Sequence, residues 1–390
     1  MNFVVADRIS RLPSQFFSGL TRRVAAVQAA GHDVINLGQG NPDLPTPPHI
    51  VEALRRAVLD PVTHKYPPFR GLPKLKEAAA AFYQRMYGVA LDPETEVAIL
   101  VGGKTGLVEL AELYLNPGDV ALVPDPGYPD YLSGIALAGG EAYPLPLIAE
   151  RSFLPDLEAV PNEVWHRTRL WYLNYPNNPT GAGATPEFFQ HVIAKARQYG
   201  TLVVHDYAYG AIGYDGKRPP SFMAQRGARE VGIEIYTLSK TFNMAGWRVA
   251  FAVGNRDVIE HINLIQDHYY VSIFAAVQEA AAQALTGPAD CIDELVSAYQ
   301  VRRDAFVQSA RDHGLDVPAP DGSFFCWVPI PNGMDSVAFA EALLAKAHVA
   351  VAPGAGFGHH GEGYVRVGLL APPDRLAEAA RRMAAFVRQT

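Results

Sequence analysis

The sequence predicts an α/β protein with a mainly parallel sheet, followed by a smaller α+β unit. Three observations lead there: short continuous apolar runs recur from about residue 97, helical patterns separate them, and beyond Arg256 the alternation gives way to mixed elements. Apolar runs without polar alternation are what strands buried on both faces require. Strand, helix, strand in succession implies right-handed crossovers between parallel neighbours.

Taken in order, the strand candidates are Val97–Val101, Val120–Pro124, Leu170–Leu173, Leu202–His205, Glu234–Leu238 and Val249–Val253. Helical stretches at Lys104–Leu115 and Pro186–Tyr199 lie between them, and Pro186 suits a first helical turn. One long Ala-rich helix is expected from Arg256 to about Leu285. Beyond it come a helix near Ala298–Asp312, a strand at Ser323–Val328, a helix at Ser336–Ala347, strands at Val349–Ala352 and Tyr364–Gly368, and a closing helix from Asp374.

Composition narrows the function classes. A chain of 390 residues with 49% apolar and 19% charged residues can bury a large core. Its net charge of −7 argues against a nucleic-acid footprint, which needs a basic face. Cys291 and Cys326 show no metal-ligand spacing and form no disulfide framework. No apolar stretch approaches the ~18 residues of a membrane span, and the N-terminus lacks a signal-peptide pattern, so a cytoplasmic protein acting on small molecules is expected.

Four segments carry chemistry. Ser239-Lys240 follows the apolar run Ile233–Leu238, and Gly246-Trp247-Arg248 closes the same segment. A lysine leaving a buried strand reaches the cleft above an open sheet, where partial desolvation lowers its pKa and makes it nucleophilic toward an aldehyde. Ser239 and Arg248 beside it suit a phosphate. A Ser-Lys pair alone is ordinarily a surface feature. The run Leu202–His205 ends in Asp206 with Tyr209 beyond; a carboxylate there can pair with a protonated ring nitrogen, though Asp after a strand is also a common turn residue. Asn174-Tyr175-Pro176-Asn177-Asn178-Pro179-Thr180-Gly181 specifies a fixed turn able to aim the Asn178 amide into the cleft. Gly102-Gly103-Lys104 stands at a strand-to-helix junction, where free N–H groups and the helix dipole favour an anion.

In this order the four segments resemble the class I/II aminotransferases, pyridoxal 5′-phosphate (PLP) enzymes of fold type I. The resemblance runs from Val34-Ile35-Asn36-Leu37-Gly38-Gln39-Gly40-Asn41-Pro42-Asp43 to Tyr364-Val365-Arg366-Val367-Gly368. It implies a large domain over residues 51–290 with a mainly parallel seven-stranded sheet, and a small α+β domain made of residues 1–50 with 291–390. It implies PLP as cofactor, with Lys240 as the lysine that bears it and shuttles the proton. Asp206 is then the pyridine-nitrogen partner, and Asn178 and Tyr209 the pair holding the ring oxygen. Gly103, Lys104, Ser239 and Arg248 form the phosphate cup, with Tyr128 stacked on the ring. Arg366 is then the clamp on the substrate α-carboxylate, aided by Asn178 and Gly40, and Tyr66 the residue that reaches the neighbouring subunit of a homodimer. One departure is Ala250 after Val249, where relatives often carry glycine.

The opening Leu12-Pro13-Ser14-Gln15-Phe16-Phe17 and the run Gly232–Lys240 extend the resemblance to the bacillus-type methionine-salvage enzymes, implying ketomethiobutyrate as amino acceptor. Alanine and LL-diaminopimelate aminotransferases share the general motifs, and a carbon–sulfur β-lyase on the same fold shares the lysine, aspartate and arginine. A PLP-binding regulatory module is disfavoured by the negative charge. Phe16, Phe17, Tyr269, Tyr270 and Phe274 are candidates for an apolar side-chain pocket or for core and interface.

Overall fold

Alternate residues of the central strands enter two different cores. Trp171, Leu173, Val203 and Phe251 face one side, while Leu170, Tyr172, Val204 and Ala252 face the other. A computed structural model describes residues 3–13, 18–331 and 333–389. Its strands are β1 (Ile35–Asn36), β2 (Val97–Leu100), β3 (Val120–Asp125), β4 (Glu141–Pro146), β5 (Thr168–Leu173), β6 (Leu202–Asp206), β7 (Gly232–Thr237), β8 (Ala250–Gly254), β9 (Phe325–Pro329), β10 (Val349–Ala350), β11 (Ala352–Pro353) and β12 (Tyr364–Gly368).

The seven-stranded sheet has the order β2-β8-β7-β6-β5-β3-β4, and only β8 runs against its neighbours. Helices Pro73–Tyr87, Pro186–Tyr199 and Ala275–Thr286 cover one face through residues such as Phe82, Phe189 and Ala281. Helices Gly103–Tyr114, Asp130–Ala138 and Arg256–Tyr269 cover the other through Leu107, Ile135 and Ile262. The helix expected at Pro186–Tyr199 has those bounds: Thr185 Oγ1 accepts from Phe188 N at its start, and Gly200 ends it at φ 69°. Both ends are therefore written locally, by a cap and a left-handed stop.

A second core gathers Tyr299 and Phe306 of helix Asp290–Asp312, Phe339 of helix Ser336–Ala347, and Leu376 and Met383 of helix Pro373–Val387 around the antiparallel sheet β11-β12-β9. The N-terminal part joins it through parallel pairing of Ile35 with Val349.

Several elements differ from expectation, among them helix Asp290–Asp312, which begins well before the expected Ala298, and β1, which was not anticipated. Strand β4 was not anticipated: it sits at the sheet edge, mostly exposed, and its prolines Pro144 and Pro146 are tolerable only there. The helix expected from Arg256 to Leu285 is two helices, broken at Tyr270, where the chain turns extended. The break is held by Gln278, whose side chain donates to Ile273 O and accepts from Leu72 N. The single strand expected at Val349–Ala352 is two short ones, because Val349–Ala350 pairs with β1 and Ala352–Pro353 with β12.

Candidate active site

The carboxyl ends of β3, β5, β6 and β7 converge on a cavity of about 1020 Å³, bounded on its far side by Phe325 and Arg366 of the second core. Open α/β sheets bind ligands at this edge. Strand β7 is buried throughout and ends at Thr237, whose Oγ1 accepts from Ser239 N and starts the short helix carrying Lys240. Lys240 Nζ donates to Gly40 O at 3.0 Å. Burial lowers its pKa to about 8; the nearby Arg366 charge adds to that and Asp206 opposes it. This is a half-buried amine on the cavity wall that gives up its proton far more readily than a surface lysine.

Asp206 ends β6 and is buried. Its Oδ2 accepts from Tyr131 Oη at 2.8 Å. Burial pushes its pKa up, against the Tyr131 hydrogen bond and the charges nearby. Asn174 Nδ2 donates to Asp206 O, and Asn174 Oδ1 accepts from Asn178 N, both at 2.8 Å. One amide thus ties the turn to the end of the neighbouring strand. Within the turn, Thr180 Oγ1 donates to Asn177 Oδ1 at 2.8 Å, and the Tyr175–Pro176 and Asn178–Pro179 bonds are cis.

Asn178 Oδ1 accepts from Arg366 Nη1 at 2.8 Å, and Arg366 Nη2 donates to Gly38 O at 3.3 Å. The guanidinium carbon lies 4.1 Å from the Phe325 ring centre and 4.7 Å from that of Phe357. Burial lowers the Arg366 pKa to about 10, and its Nε is buried without a hydrogen-bond partner. A buried cation with an unpaired donor favours an incoming anion of carboxylate geometry.

At the opposite end, helix Gly103–Tyr114 starts without a side-chain cap. Gly102, at φ 82°, lies directly against the Arg248 guanidinium. Ser239, Thr237 and Arg248 share the cavity with this helix start. Uncapped N–H groups, hydroxyls and a guanidinium together suit a phosphate.

The match to known proteins has the same shape. Residues 32–383 match the family model described as aminotransferase class I and II. The chain belongs to the class I and II aminotransferases. The L-glutamine–4-(methylsulfanyl)-2-oxobutanoate aminotransferase of Bacillus subtilis (strain 168) is 58% identical over 383 residues, 98% of this chain and 96% of that one. An LL-diaminopimelate aminotransferase of Desulforudis audaxviator is 47% identical, with 98% of each chain covered. The substrate-bound structure of BacF from Bacillus subtilis superposes with a TM-score of 0.94 at 47% identity, covering 99% of this chain and 98% of that one.

In this aminotransferase, Gly40, Gly103, Lys104, Tyr128, Asn178, Asp206, Tyr209, Ser239, Lys240, Arg248 and Arg366 all line the one cavity. The Lys104 side chain is paired with Asp130 at 2.9 Å, which leaves its backbone N–H for an anion. Tyr66 is the exception: it is 88% exposed and absent from the cavity wall of its own chain. Tyr269 and Tyr270 bond to Glu112 and Glu109, Phe274 is exposed, and none of the three lines the cavity; Phe16 and Phe17 lie outside the described residues. The sequence reading missed Tyr131, Asn174, Phe325 and Phe357. Tyr131 follows Tyr128 by three residues, a helical spacing that hints at a shared face; the two phenylalanines carry no motif.

Proposed function

We propose that this aminotransferase binds PLP in the cavity and moves an amino group from an α-amino acid to an α-keto acid. The observation that carries the reading is the Lys240 amine, half-buried in the cavity wall with its pKa down to about 8 and sharing the cavity with Asp206 and Arg366. Lys240 would bear the cofactor, and Asp206 would hold the pyridine nitrogen. Asn178 and Tyr209 would hold the ring oxygen and Tyr128 the ring face. The Gly103 and Lys104 backbone, with Ser239 and Arg248, would hold the phosphate. Bound there, PLP supplies an electron sink that acidifies the substrate Cα proton.

The chain's own groups do the rest. Arg366, with Asn178 and Gly40, fixes the α-carboxylate and so presents the Cα–H bond to Lys240. The neutral amine takes that proton and later returns it, a role worth roughly 10²–10⁴-fold. Burial raises the Asp206 pKa, and a positively charged ring nitrogen held there would offset that rise and favour the carboxylate. Lys240→Ala is expected to remove both the visible absorption of bound cofactor and turnover; retention of either overturns the assignment.

For substrate, we infer glutamine as donor and 4-(methylsulfanyl)-2-oxobutanoate as acceptor. Support comes from the 58% identical relative of that name and from the cavity lining, where Arg248 and Arg366 are the only guanidinium groups among the described residues. Apolar Pro13, Leu20 and Leu132 line the same cavity and suit a thioether. LL-Diaminopimelate is the second reading, because of the 47% identical relative. A panel of amino donors against each keto acid decides between them; release of ammonia in place of amino transfer would indicate a lyase.

A further inference from the structure

Residues 354–361, Gly-Ala-Gly-Phe-Gly-His-His-Gly, form a strap that crosses from the second core to the end of β3. Ala355 N donates to Ser336 Oγ at 3.1 Å and ties the start of the strap to helix Ser336–Ala347, while two contacts fasten its far part to β3 and the turn beyond. Asp125, buried at the last position of β3, takes His360 Nδ1 on Oδ2 at 2.8 Å and His360 N on Oδ1 at 3.0 Å. Gly127 N, one residue before Tyr128, donates to Phe357 O at 2.8 Å. Gly358 stands at φ 134°, and a Cβ there would overlap Asp125 Oδ1, so the strap lies flat on the carboxylate. The same strap holds the Phe357 ring 4.7 Å from the Arg366 guanidinium carbon, and Phe325, fixed in β9, lies 4.1 Å from it.

We propose that the Asp125–His360 pair is a clasp that positions the strap and thereby sets the affinity of the substrate α-carboxylate site. His360 is a positioning residue: it acts through Phe357 on Arg366. With the clasp open, the strap lifts and water reaches the guanidinium. A charge pair weakens steeply as its surroundings become wetter. The consequence is common to every substrate, since all share the α-carboxylate, and it falls on binding rather than on proton transfer at Lys240. The inference rests on the reading of Arg366 as the carboxylate clamp.

Steady-state kinetics of the cofactor-loaded enzyme test it. His360→Ala is expected to raise KM for amino donor and keto acid about tenfold, the size of one lost charge-assisted hydrogen bond. That rise should be equal for donors with different side chains, with kcat within about twofold and the resting cofactor spectrum unchanged. His360→Asn, which keeps a side-chain N–H donor, should recover most of the loss. Wild-type KM with a lowered Tm, or a fall in kcat at unchanged KM, overturns the clasp. If His360→Ala does not fold, Asp125→Asn is read by the same criteria, because it removes the charge and keeps the shape. Arg366→Lys, run alongside, separates the two readings: unchanged KM there sinks the carboxylate clamp, whereas a raised KM with a silent His360→Ala sinks only the clasp.

Discussion

A charged amine held in a cavity wall costs stability, and at Lys240 that cost and the chemistry are the same fact. Its pKa in the folded chain is about 8 against an ordinary 10.5. Below pH 8 the group is protonated both folded and unfolded, and the fold bears the full penalty of a desolvated charge. Between about 8 and 10.5 the folded chain has released the proton that the unfolded chain still holds, so stability rises with pH across that window. Lys240→Met should therefore raise the Tm of the cofactor-free protein by about 1–3 °C at pH 7. The gain should fade from pH 8 to 10.5 in a series of thermal melts. A gain that persists unchanged above pH 10.5 would mean packing, not charge, sets it. The same titration governs reactivity: cofactor loading by the cofactor-free protein should accelerate through a midpoint near pH 8. Lys240, Asp206, Asn178 and Arg366 were legible as residues because each sits in a rare string at a strand end or in a late strand. Tyr131, Asn174 and Phe357 were not, since each acts on a residue brought near only by folding: Tyr131 is 75 positions from the Asp206 it bonds.

At the scale of elements, the helix start at Gly103 depends on how closely Arg248 approaches it. Gly102 stands at φ 82°, and a Cβ there would occupy the space of the Arg248 guanidinium. Gly102→Ala meets two penalties, about 1–3 kcal/mol of strain in a backbone region that only glycine adopts freely (φ 82°, ψ 153°) and displacement of an anion-binding side chain. Expected is a cofactor Kd raised at least tenfold, read by loss of bound absorbance on dialysis, with the far-UV spectrum near wild type. A variant that keeps its cofactor would show that Arg248 relaxes without cost. Elements were legible where local signals agree with tertiary ones, as in helix Pro186–Tyr199 with its Thr185 cap and Gly200 stop. They were illegible where a distant contact decides. Tyr270 leaves the helical path, and the Gln278 side chain bonds across the break to Leu72 and Ile273. Strand β4 escaped notice because an exposed edge strand needs no apolar run.

At the scale of the molecule, we propose that one exposed segment packs against a second copy of the chain. Leu59, Val62, Tyr66 and Phe69 are 71%, 68%, 88% and 52% exposed, a run of large apolar side chains facing outward within eleven residues of one another. Runs of this kind mark a contact surface. Tyr66 is also the one expected cofactor residue that does not line the cavity of its own chain. Both observations are met if the chain pairs through this face and each Tyr66 serves the other subunit's cavity, as a two-fold axis would require. Lys240→Ala removes the amine from its own cavity, whereas Tyr66→Ala would damage only the partner's. Mixed dimers of the two variants then contain one cavity with both groups intact. Unfolding and refolding an equimolar mixture should restore about one quarter of wild-type activity, since half the dimers are mixed and each has one sound site of two. Either variant refolded alone sets the baseline. Restoration that does not exceed the two baselines would mean that Tyr66 serves its own chain or none, and sedimentation of the wild-type protein as an active monomer would remove the shared site altogether.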